Sequence, residues 1–324
     1  MRCIVTGGAG FVGSHLTELL VKHGHDTIVI DDLSTGRLSN LSSVQNRIKF
    51  IESDINSPDT RTAYQEVDTV FHLAAKADIV PSIIDPMGYM KSNVWGTLSV
   101  LENCRASQVR RVVYAASSSC YGLALTTPTD ESAPIDPRYP YALSKRIGEE
   151  MLFHWGQLYQ MQTVSLRLFN VFGVRSRTSG NYGAVLGVFL GQHLSGKPLT
   201  VVGDGNQARD FVYVSDVAKA FLSAATYSGQ SLVVNIGSGR PISVNEVASA
   251  IGGERVHIPD RPGEPRITHA DISLARKSLL WDPEISFEEG LKIVMAQKHL
   301  WKDAPVWTPE AISKVTRDWF KHVR

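Results

Sequence analysis

Tyr141 and Lys145 form the pair of side chains with the most distinctive chemistry in the sequence. They lie four residues apart in the segment RYPYALSKR, residues 138–146, so on a helix they face the same way. Tyr139 would need a lysine at position 143, which is Leu143, and no other tyrosine of the ten has a lysine four residues later. Because an ammonium favours a neighbouring phenolate, we expect the pKa of Tyr141 to lie below its usual value of about 10. Such a phenolate takes a proton from a sugar or alcohol hydroxyl.

A Y-x-x-x-K spacing alone is common by chance, so the interpretation depends on what precedes it. Residues 2–6, RCIVT, are typical of a short buried strand, and Gly7, Gly10 and Gly13 follow at G-x-x-G-x-x-G spacing. Apolar residues then recur with a helical period as far as Gly24. Glycines permit the tight turn and let backbone N–H groups approach a pyrophosphate, whose charge the helix N-terminus favours. The pattern predicts a dinucleotide site, with turn glycines that bind no ligand as the alternative.

Asp31 ends the second predicted strand, in DTIVIDDLSTG, where it is placed to accept hydrogen bonds from a ribose diol. Its charge would repel a 2′-phosphate, which favours NAD over NADP, although Arg37 lies close by in the sequence. Asp54 lies at the end of the next strand, where a contact to adenine and a role in a turn or helix cap are equally good interpretations.

Strands and helices alternate along the first half of the chain. Residues 47–55, 67–77 and 110–119 are predicted strands, and 90–106 is a predicted helix. This alternation predicts an α/β fold with a doubly wound parallel sheet, in which ligands bind at the carboxyl ends of the strands.

Composition excludes several classes of function. The 324 residues carry a formal net charge of +1, which gives no general attraction to nucleic acid or membrane. No apolar run approaches the ~20 residues of a membrane span, and the N-terminus lacks the long apolar region of a signal peptide. Three scattered cysteines form neither a disulfide framework nor a metal-ligand pattern. We therefore expect a cytoplasmic protein without a metal site.

Seven motifs carry a resemblance to a known family: TGGAGFVG, DDLSTG, HLAA, SSSCYG, YALSK, LFNVFG and GDGNQARDFVYVSDVA. The sequence resembles the extended short-chain dehydrogenase/reductases, in their sugar-nucleotide epimerase and dehydratase branch, over nearly its whole length. The resemblance implies NAD as cofactor, a nucleotide sugar as substrate, and a smaller α/β substrate domain interleaved with a Rossmann domain. The expected NAD-binding domain is residues 1–172, to which 210–238 returns, and the expected nucleotide-sugar domain is 173–209 with 239–324.

The resemblance also implies roles for individual residues. Ser117, four residues before the Tyr121–Gly122 pair, would hydrogen-bond the reacting sugar oxygen. Tyr141 would be the acid/base, and Lys145 would bind the nicotinamide ribose. The implied cofactor contacts are Gly7, Gly10, Phe11, Val12, Gly13, Asp31, Asp32, Ser34, Thr35, Gly36, Asp54, Ile55, Leu73, Ala74, Ala75, Lys76, Asn93, Tyr141, Lys145, Phe169 and Val171. The implied substrate contacts are Ala77, Asp78, Ser117, Ser118, Asn170, Ala184, Val185, Arg209, Arg261 and Glu264.

The residues after Ser117 favour one reaction of this branch. Related 4,6-dehydratases carry an Asp-Glu pair directly after the catalytic residue, where this sequence has Ser118 and Ser119. Related UDP-glucuronate decarboxylases usually have a glutamate near this turn. We therefore expect a 4-epimerase of a UDP-hexose or UDP-N-acetylhexosamine that works through a transient 4-keto sugar. A dehydratase or a UDP-glucuronate decarboxylase or epimerase is the alternative within the branch. A non-catalytic NAD-binding sensor is an alternative of another class, and the intact catalytic set argues against it.

The resemblance gives further expectations for the substrate side. Arg209 and Arg261 would clamp the diphosphate, since guanidinium forks match phosphate oxygens. Glu264 stands where relatives commonly have Asp beside the ribose. Thr268 is smaller than the tyrosine of strictly glucose-type enzymes, which predicts tolerance of a 2-acetamido group. Lys76 and Asp78 either contact a charged sugar or pair on a loop.

Two expectations concern surfaces. Arg175, Arg177 and Arg266 are interpreted as solvated surface residues. Helices at 88–106 and 141–160 form a four-helix interface in this family, which implies a homodimer.

Overall fold

The computed structural model of the protein describes residues 1–176 and 184–323. A parallel sheet of seven strands lies at the centre of this part, in the order β3-β2-β1-β4-β5-β6-β10. A three-stranded sheet, β11-β9-β7, and a pair, β12-β8, complete the β structure described. The strands are β1 Arg2–Thr6, β2 Asp26–Asp31, β3 Ile48–Glu52, β4 Thr69–His72, β5 Arg111–Ser117, β6 Gln162–Leu168, β7 Asn170–Phe172, β8 Leu199–Val202, β9 Ala208–Tyr213, β10 Ser231–Ile236, β11 Pro241–Ser243 and β12 Arg255–Ile258.

Helices cover both faces of the central sheet. They are α1 Phe11–Lys22, α2 Ile79–Ile84, α3 Pro86–Tyr89, α4 Gly96–Ala106, α5 Pro140–Tyr159, α6 Val185–Leu194, α7 Val214–Ala224, α8 Val244–Ile251, α9 Ser273–Leu279, α10 Phe287–Ala296, α11 Pro309–Val315 and α12 Arg317–His322. Short 3₁₀ turns and one π-helical turn, Met90–Trp95, link several of them.

The middle strands are buried along their whole length because both faces of the sheet are covered. Every residue of β4 and β5 is buried. One face packs Leu16 and Phe71 against Phe221, and the other packs Val70 and Tyr114 among the apolar residues of α4 and α5. The predicted doubly wound α/β fold is confirmed.

A second core lies beyond β6, where aromatic rings of several elements meet. The ring of Phe172 lies 5.3 Å from those of Tyr213 and Phe287. The chain then returns to the central sheet, since β10 pairs with β6 in parallel register. This return agrees with an interleaved second lobe, and the domain boundaries given above stay a prediction.

Local details differ from the sequence-based expectations. The helix predicted over 88–106 contains the π-helical turn Met90–Trp95, so its backbone widens before α4. The C-terminal segment forms two short helices, α11 and α12, and the side chain of Thr308 accepts the N–H of Ala311 as the N-cap of α11.

The described residues contain neither a membrane-spanning helix nor a cluster of metal-ligand side chains. Among residues 1–176 and 184–323, no helix is long and apolar enough to cross a membrane. In the same ranges no three His, Cys, Asp or Glu side chains cluster as metal ligands. Arg177 lies outside the described residues.

Candidate functional site

The glycine-rich turn between β1 and α1 is tightly closed. Gly7 has φ +70°, and a Cβ there would lie 2.8 Å from the backbone nitrogen of Ala74. A Cβ on Gly13 would collide with the carbonyl oxygen of Gly7. Gly10 caps α1 without a side-chain hydrogen bond, and no acidic residue lies in the first turn of the helix. The turn and the helix N-terminus therefore fit the pyrophosphate of a dinucleotide.

Asp31 lies at the end of β2 and organises the neighbouring loop. Its carboxylate accepts the N–H groups of Ala9 and Leu33, each at 2.9 Å. Burial raises the pKa of Asp31, because the charged form has lost much of its hydration. A Cβ on Gly36 would lie 2.8 Å from the carboxylate, so glycine is required at that close approach. A diol that donates to this carboxylate would replace the lost hydration.

Ser117, Tyr141 and Lys145 meet at the carboxyl end of β5. Pro140 stands in the first turn of α5, which agrees with the preference of proline for that position, and Tyr141 and Lys145 lie one turn apart. The hydroxyl of Ser117 is hydrogen-bonded to the phenol of Tyr141. The ammonium of Lys145 donates to the carbonyl of Ala115 at 2.8 Å. The structure thus brings together the three residues proposed as catalytic.

The expected direction of the Tyr141 pKa is wrong for this structure. Burial raises the pKa of Tyr141, and the hydrogen bond from Ser117 only partly offsets that effect. Asp78 adds to the increase, since its negative charge disfavours a phenolate. Burial also lowers the pKa of Lys145 to about 7, so near neutral pH the side chain carries only part of the charge that would stabilise the phenolate. Sequence spacing identifies the neighbours but not the desolvation that dominates them.

A buried polar network holds the turn that follows Ser117. Glu149 accepts from Arg167 at 2.7 and 3.0 Å and from Ser165 at 2.6 Å. Arg167 donates to the hydroxyl of Tyr121 at 2.8 Å, which in turn donates to Asn235 at 2.7 Å. Local sequence patterns do not predict this network, because its members come from α5, β6, β10 and the turn after β5. A charged pair on apolar elements, Glu149 and Arg167, was the available signal.

Ser119 takes part in holding the catalytic serine. Its hydroxyl lies 2.7 Å from the hydroxyl of Ser117, and its N–H donates to the same oxygen at 3.2 Å. Ser118 is half-buried in the same turn. Position 119, which carries a carboxylate in the related dehydratases, therefore carries a hydroxyl that is hydrogen-bonded to Ser117.

The other residues proposed to contact the cofactor surround the same edge of the sheet. Leu73, Ala74, Ala75 and Lys76 follow β4, and we call residues 73–76 the β4 loop. Asn93 is buried, and its carboxamide accepts the backbone N–H of Lys76 at 2.8 Å and donates to the backbone carbonyl of Lys76 at 3.0 Å. Asp54 is exposed and accepts from Asn56 at 2.9 Å, as the turn interpretation predicts. Around the turn and the neighbouring strands lie Phe11, Val12, Asp32, Ser34, Thr35, Ile55, Phe169 and Val171.

The residues proposed for the diphosphate are linked to one another. Arg209 donates to Glu264 at 2.7 Å, and Arg261 lies 3.6 Å from the other oxygen of the same carboxylate. Asn170 accepts from the hydroxyl of Thr268 at 3.3 Å. This leaves the amide N–H₂ of Asn170 as the donor group on that side chain.

The remaining substrate-side residues are more scattered. Ala184 is the N-cap of α6, with Val185 next to it, and Ala77 is exposed. Lys76 pairs with Asp85 at 3.3 Å, so it follows the loop-pairing interpretation, whereas Asp78 acts electrostatically on Tyr141.

Of the arginines interpreted as surface residues, Arg266 is exposed and lies 3.1 Å from Asp204. Arg175 departs from that interpretation. It is partly buried and donates to both carboxylate oxygens of Glu18, at 2.7 and 2.8 Å.

Comparison with known proteins agrees with this geometry. Residues 3–237 match the model of the NAD dependent epimerase/dehydratase family. The chain belongs to this family. It is 38% identical over 301 residues to a putative UDP-glucose 4-epimerase of Methanocaldococcus jannaschii, covering 90% of this chain and 96% of that one. The family and the NAD dependence expected from the sequence are thereby confirmed.

Solved structures of similar proteins extend the match to three dimensions. The UDP-glucose 4-epimerase of Thermotoga maritima with UDP-glucose has a TM-score of 0.87 and 33% identity, over 93% of this chain and 100% of that chain. The UDP-glucose 4-epimerase of Thermus thermophilus in complex with NAD has a TM-score of 0.83 and 32% identity, over 92% and 99% of the two chains.

Proposed function

We propose that this family member is an NAD-dependent 4-epimerase of a UDP-hexose or UDP-N-acetylhexosamine. The observation that carries the proposal is the convergence of Ser117, Tyr141 and Lys145 beside the glycine-rich turn, with hydroxyls rather than carboxylates at the next two positions. The similar proteins named as UDP-glucose 4-epimerases support it.

Tyr141 exchanges the proton of the sugar. Its phenolate takes the proton of the carbon-4 hydroxyl, and its phenol returns a proton to the same oxygen once the configuration is inverted. Ser117 holds that oxygen next to the phenol through its own hydroxyl. NAD, when bound, supplies the reversible oxidation and reduction at carbon 4. Because the cofactor ends in its starting state, the reaction needs no second redox partner.

Lys145 controls the charge of the phenol. With a pKa of about 7, it passes between ammonium and amine close to neutral pH. The ammonium form stabilises the phenolate of Tyr141, whereas the neutral amine does not. The carbonyl of Ala115 holds the nitrogen in place by accepting its hydrogen bond.

Arg209 and Arg261 bind the diphosphate in this proposal. Glu264 holds the two guanidinium groups on one side of the pocket, at 2.7 and 3.6 Å. A diphosphate that enters there meets a pair of cations already oriented by a carboxylate. Asn170 adds an amide donor whose orientation Thr268 sets.

A dehydratase requires an acid and a base beside sugar carbons 5 and 6. Ser118 and Ser119 have hydroxyl side chains with ordinary acidity, and Ser119 is bonded to Ser117. The turn therefore provides the groups for oxidation and reduction at carbon 4 and not those for loss of water.

Mass spectrometry and NMR on candidate nucleotide sugars test the proposal. UDP-glucose or UDP-N-acetylglucosamine should yield an isomer of unchanged mass. Loss of water would instead indicate a dehydratase, and loss of carbon dioxide from UDP-glucuronate a decarboxylase. Tyr141→Phe should lower kcat by about 10²–10⁴-fold. Tyr159→Phe, near the other end of α5, is the matched control and should retain full activity.

Thr268 determines whether a 2-acetamido sugar is accepted in this proposal. Turnover of UDP-N-acetylglucosamine is expected, and Thr268→Tyr should remove it while UDP-glucose is still converted. Turnover of UDP-glucose alone by the native protein would contradict this part of the assignment.

We also propose a cytoplasmic homodimer formed through α4 and α5. Trp95, directly before α4, and Leu158 on α5 are 61% and 58% exposed, and burying such apolar side chains between two copies would favour association. Trp155 on α5 donates to Glu102 on α4 at 2.8 Å, so the two helices present one surface. Sedimentation should give the dimer mass, and Trp95→Lys should shift the protein toward the monomer. The three free cysteines are buried, as suits a reducing compartment.

A further inference from the structure

His72 lies at the end of β4 with both ring nitrogens bonded inside the fold. The residue is 1% exposed. Its Nδ1 lies 2.8 Å from the hydroxyl of Thr6 at the end of β1, and its Nε2 lies 3.0 Å from the hydroxyl of Thr97 on α4. A histidine in this position is inaccessible to substrate, so its role must be exerted through its neighbours.

The neighbours of the ring decide which nitrogen carries the proton. Thr97 donates its hydroxyl proton to the carbonyl of Asn93 at 2.5 Å, so it offers only lone pairs to the ring. Nε2 of His72 must therefore be the donor to Thr97. Thr6 already accepts the N–H groups of Leu73 and Ala74, at 3.2 and 3.3 Å.

A protonated Nδ1 would place a third donor on the oxygen of Thr6. It would also leave the hydroxyl proton of Thr6 without this acceptor. The hydrogen bonds are all satisfied when Thr6 donates to an unprotonated Nδ1 of His72. Burial and the charge of Lys145 lower the pKa of His72 to about 3, which agrees with a neutral ring.

Beyond Thr97 the chain of hydrogen bonds continues to the catalytic helix. The carboxamide of Asn93 bonds the backbone of Lys76 in the β4 loop and donates to the hydroxyl of Ser144 at 2.9 Å. Ser144 donates to the backbone carbonyl of Tyr141 at 2.8 Å. The path crosses the π-helical turn Met90–Trp95, which carries Asn93.

A second contact brings His72 close to the lysine of the site. Its ring lies 5.6 Å from the ring of Tyr114, and the nitrogen of Lys145 lies 5.0 Å from that same ring. Tyr114 also donates to the carbonyl of Lys145 at 3.4 Å. A rotation of the His72 ring would therefore disturb α5 in two ways: through the hydrogen bonds of Thr97 and Asn93, and through the ring of Tyr114.

We propose that His72, as the Nε2–H tautomer, is a positioning residue that transmits one directed line of hydrogen bonds from Thr6 to Thr97. The line holds the glycine-rich turn and the β4 loop at a fixed distance from Tyr141. Each hydroxyl has a single proton, so the ring of His72 keeps its orientation only while both Thr6 and Thr97 are present. Removing one of the two hydroxyls should therefore lower the catalytic rate, and removing the other as well should lower it little further. The effect on catalysis rests on the proposed epimerase function.

A double-mutant cycle between Thr6→Val and Thr97→Val tests the proposal, since valine keeps the shape of threonine. Each single variant should lower kcat for the sugar nucleotide by about tenfold and leave KM unchanged. The double variant should also lose about tenfold, because the line is already broken. A loss of about a hundredfold, or no loss in the single variants, would overturn the proposal.

Thr69→Val provides the matched control on the same strand. Thr69 is buried, and within the described part of the chain its hydroxyl oxygen has no hydrogen-bond partner. Thr69→Val should not lower kcat. The double variant Thr69→Val with Thr97→Val should therefore have the same kcat as Thr97→Val alone. A loss equal to that of Thr6→Val would indicate a general effect of substitution in this core and would overturn the positioning role.

¹⁵N NMR of the histidine rings separates this inference from the proposed function. Between about pH 5 and 8, His72 in the NAD-loaded protein should show the Nε2–H pattern without titrating. An Nδ1–H tautomer or an imidazolium would overturn the proposal even in an active enzyme. If the native protein converts no sugar, the proposed function fails while the tautomer still decides the direction of the hydrogen bonds.

Discussion

Replacing Lys145 with methionine removes a buried amine whose charge the fold opposes. The residue is 5% exposed, and the carbonyl of Ala115 and the ring of Tyr114 are its nearest polar and aromatic partners. Within the described residues, no carboxylate forms an ion pair with it. Methionine keeps the length of the side chain without the charge, so the variant isolates the cost of the ammonium.

The size of that cost follows from the pKa. Burial lowers the pKa of Lys145 from 10.5 to about 7, so over that range the unfolded chain binds a proton that the native state does not. Stability must then rise with pH from about 7 to 10.5, and the full penalty applies below about 7. At about 1.4 kcal/mol for each pKa unit, the penalty is on the order of 5 kcal/mol. The lost hydrogen bond to Ala115 offsets about 1 kcal/mol of the gain.

Lys145→Met should therefore raise the free energy of unfolding by about 4 kcal/mol near pH 7, in protein freed of NAD. Urea denaturation measures this difference, which should shrink and vanish as the pH approaches about 10. Activity should fall by at least about a hundredfold, so the variant should be more stable but much less active than the native protein.

Lys219→Met is the control with the opposite sign. Hydrogen bonds to Glu284 and Asp216 raise the pKa of Lys219, so its removal should leave stability unchanged or lower it. A Lys145→Met protein no more stable than the native one near neutral pH would refute the reasoning. A gain that grows with pH would do the same.

Three further changes test other parts of the site. Asp78→Asn removes a charge that raises the pKa of Tyr141, so the acidic limb of kcat/KM against pH should move to lower pH. Ser117→Ala removes the hydrogen bond that lowers that pKa, and the same limb of its weaker activity should move to higher pH. Glu149→Gln leaves Arg167 buried without its counter-charge and should cost about 3–5 kcal/mol in urea unfolding near neutral pH. Because the pKa of Glu149 lies below its usual 4.5, this difference should persist in mild acid and shrink as the pH falls through the lowered pKa.

Local patterns in the sequence predict which side chains share a face. The spacing of Tyr141 and Lys145 needs only one turn of helix, and the glycines at positions 7, 10 and 13 need only one tight turn. The alternation of strands and helices predicts the parallel sheet, since each βα unit is read from nearby residues. These parts of the fold depend on contacts that are short in sequence.

Local spacing in the sequence does not predict which residues far apart in the chain contact each other. Tyr121 donates to Asn235, 114 residues later in the chain, and Thr6 meets His72 after 66 residues. Which polar group faces which depends on how strands are ordered and how far side chains are buried. The same limit explains the wrong direction for Tyr141, because desolvation is a property of the assembled core rather than of a neighbour at i+4.

Burial shifts the pKa values of Tyr141 and Lys145 in opposite directions, and for both side chains it favours the uncharged form. A phenol with a raised pKa and an amine with a lowered pKa both resist charging, so moving a proton from Tyr141 to Lys145 creates two ions that the core disfavours together. Among the described residues, the hydroxyl of Ser117 favours the phenolate, and the carbonyl of Ala115 and the ring of Tyr114 favour the ammonium. Burial still outweighs these groups, since the pKa of Tyr141 remains above its usual value and the pKa of Lys145 remains below its own.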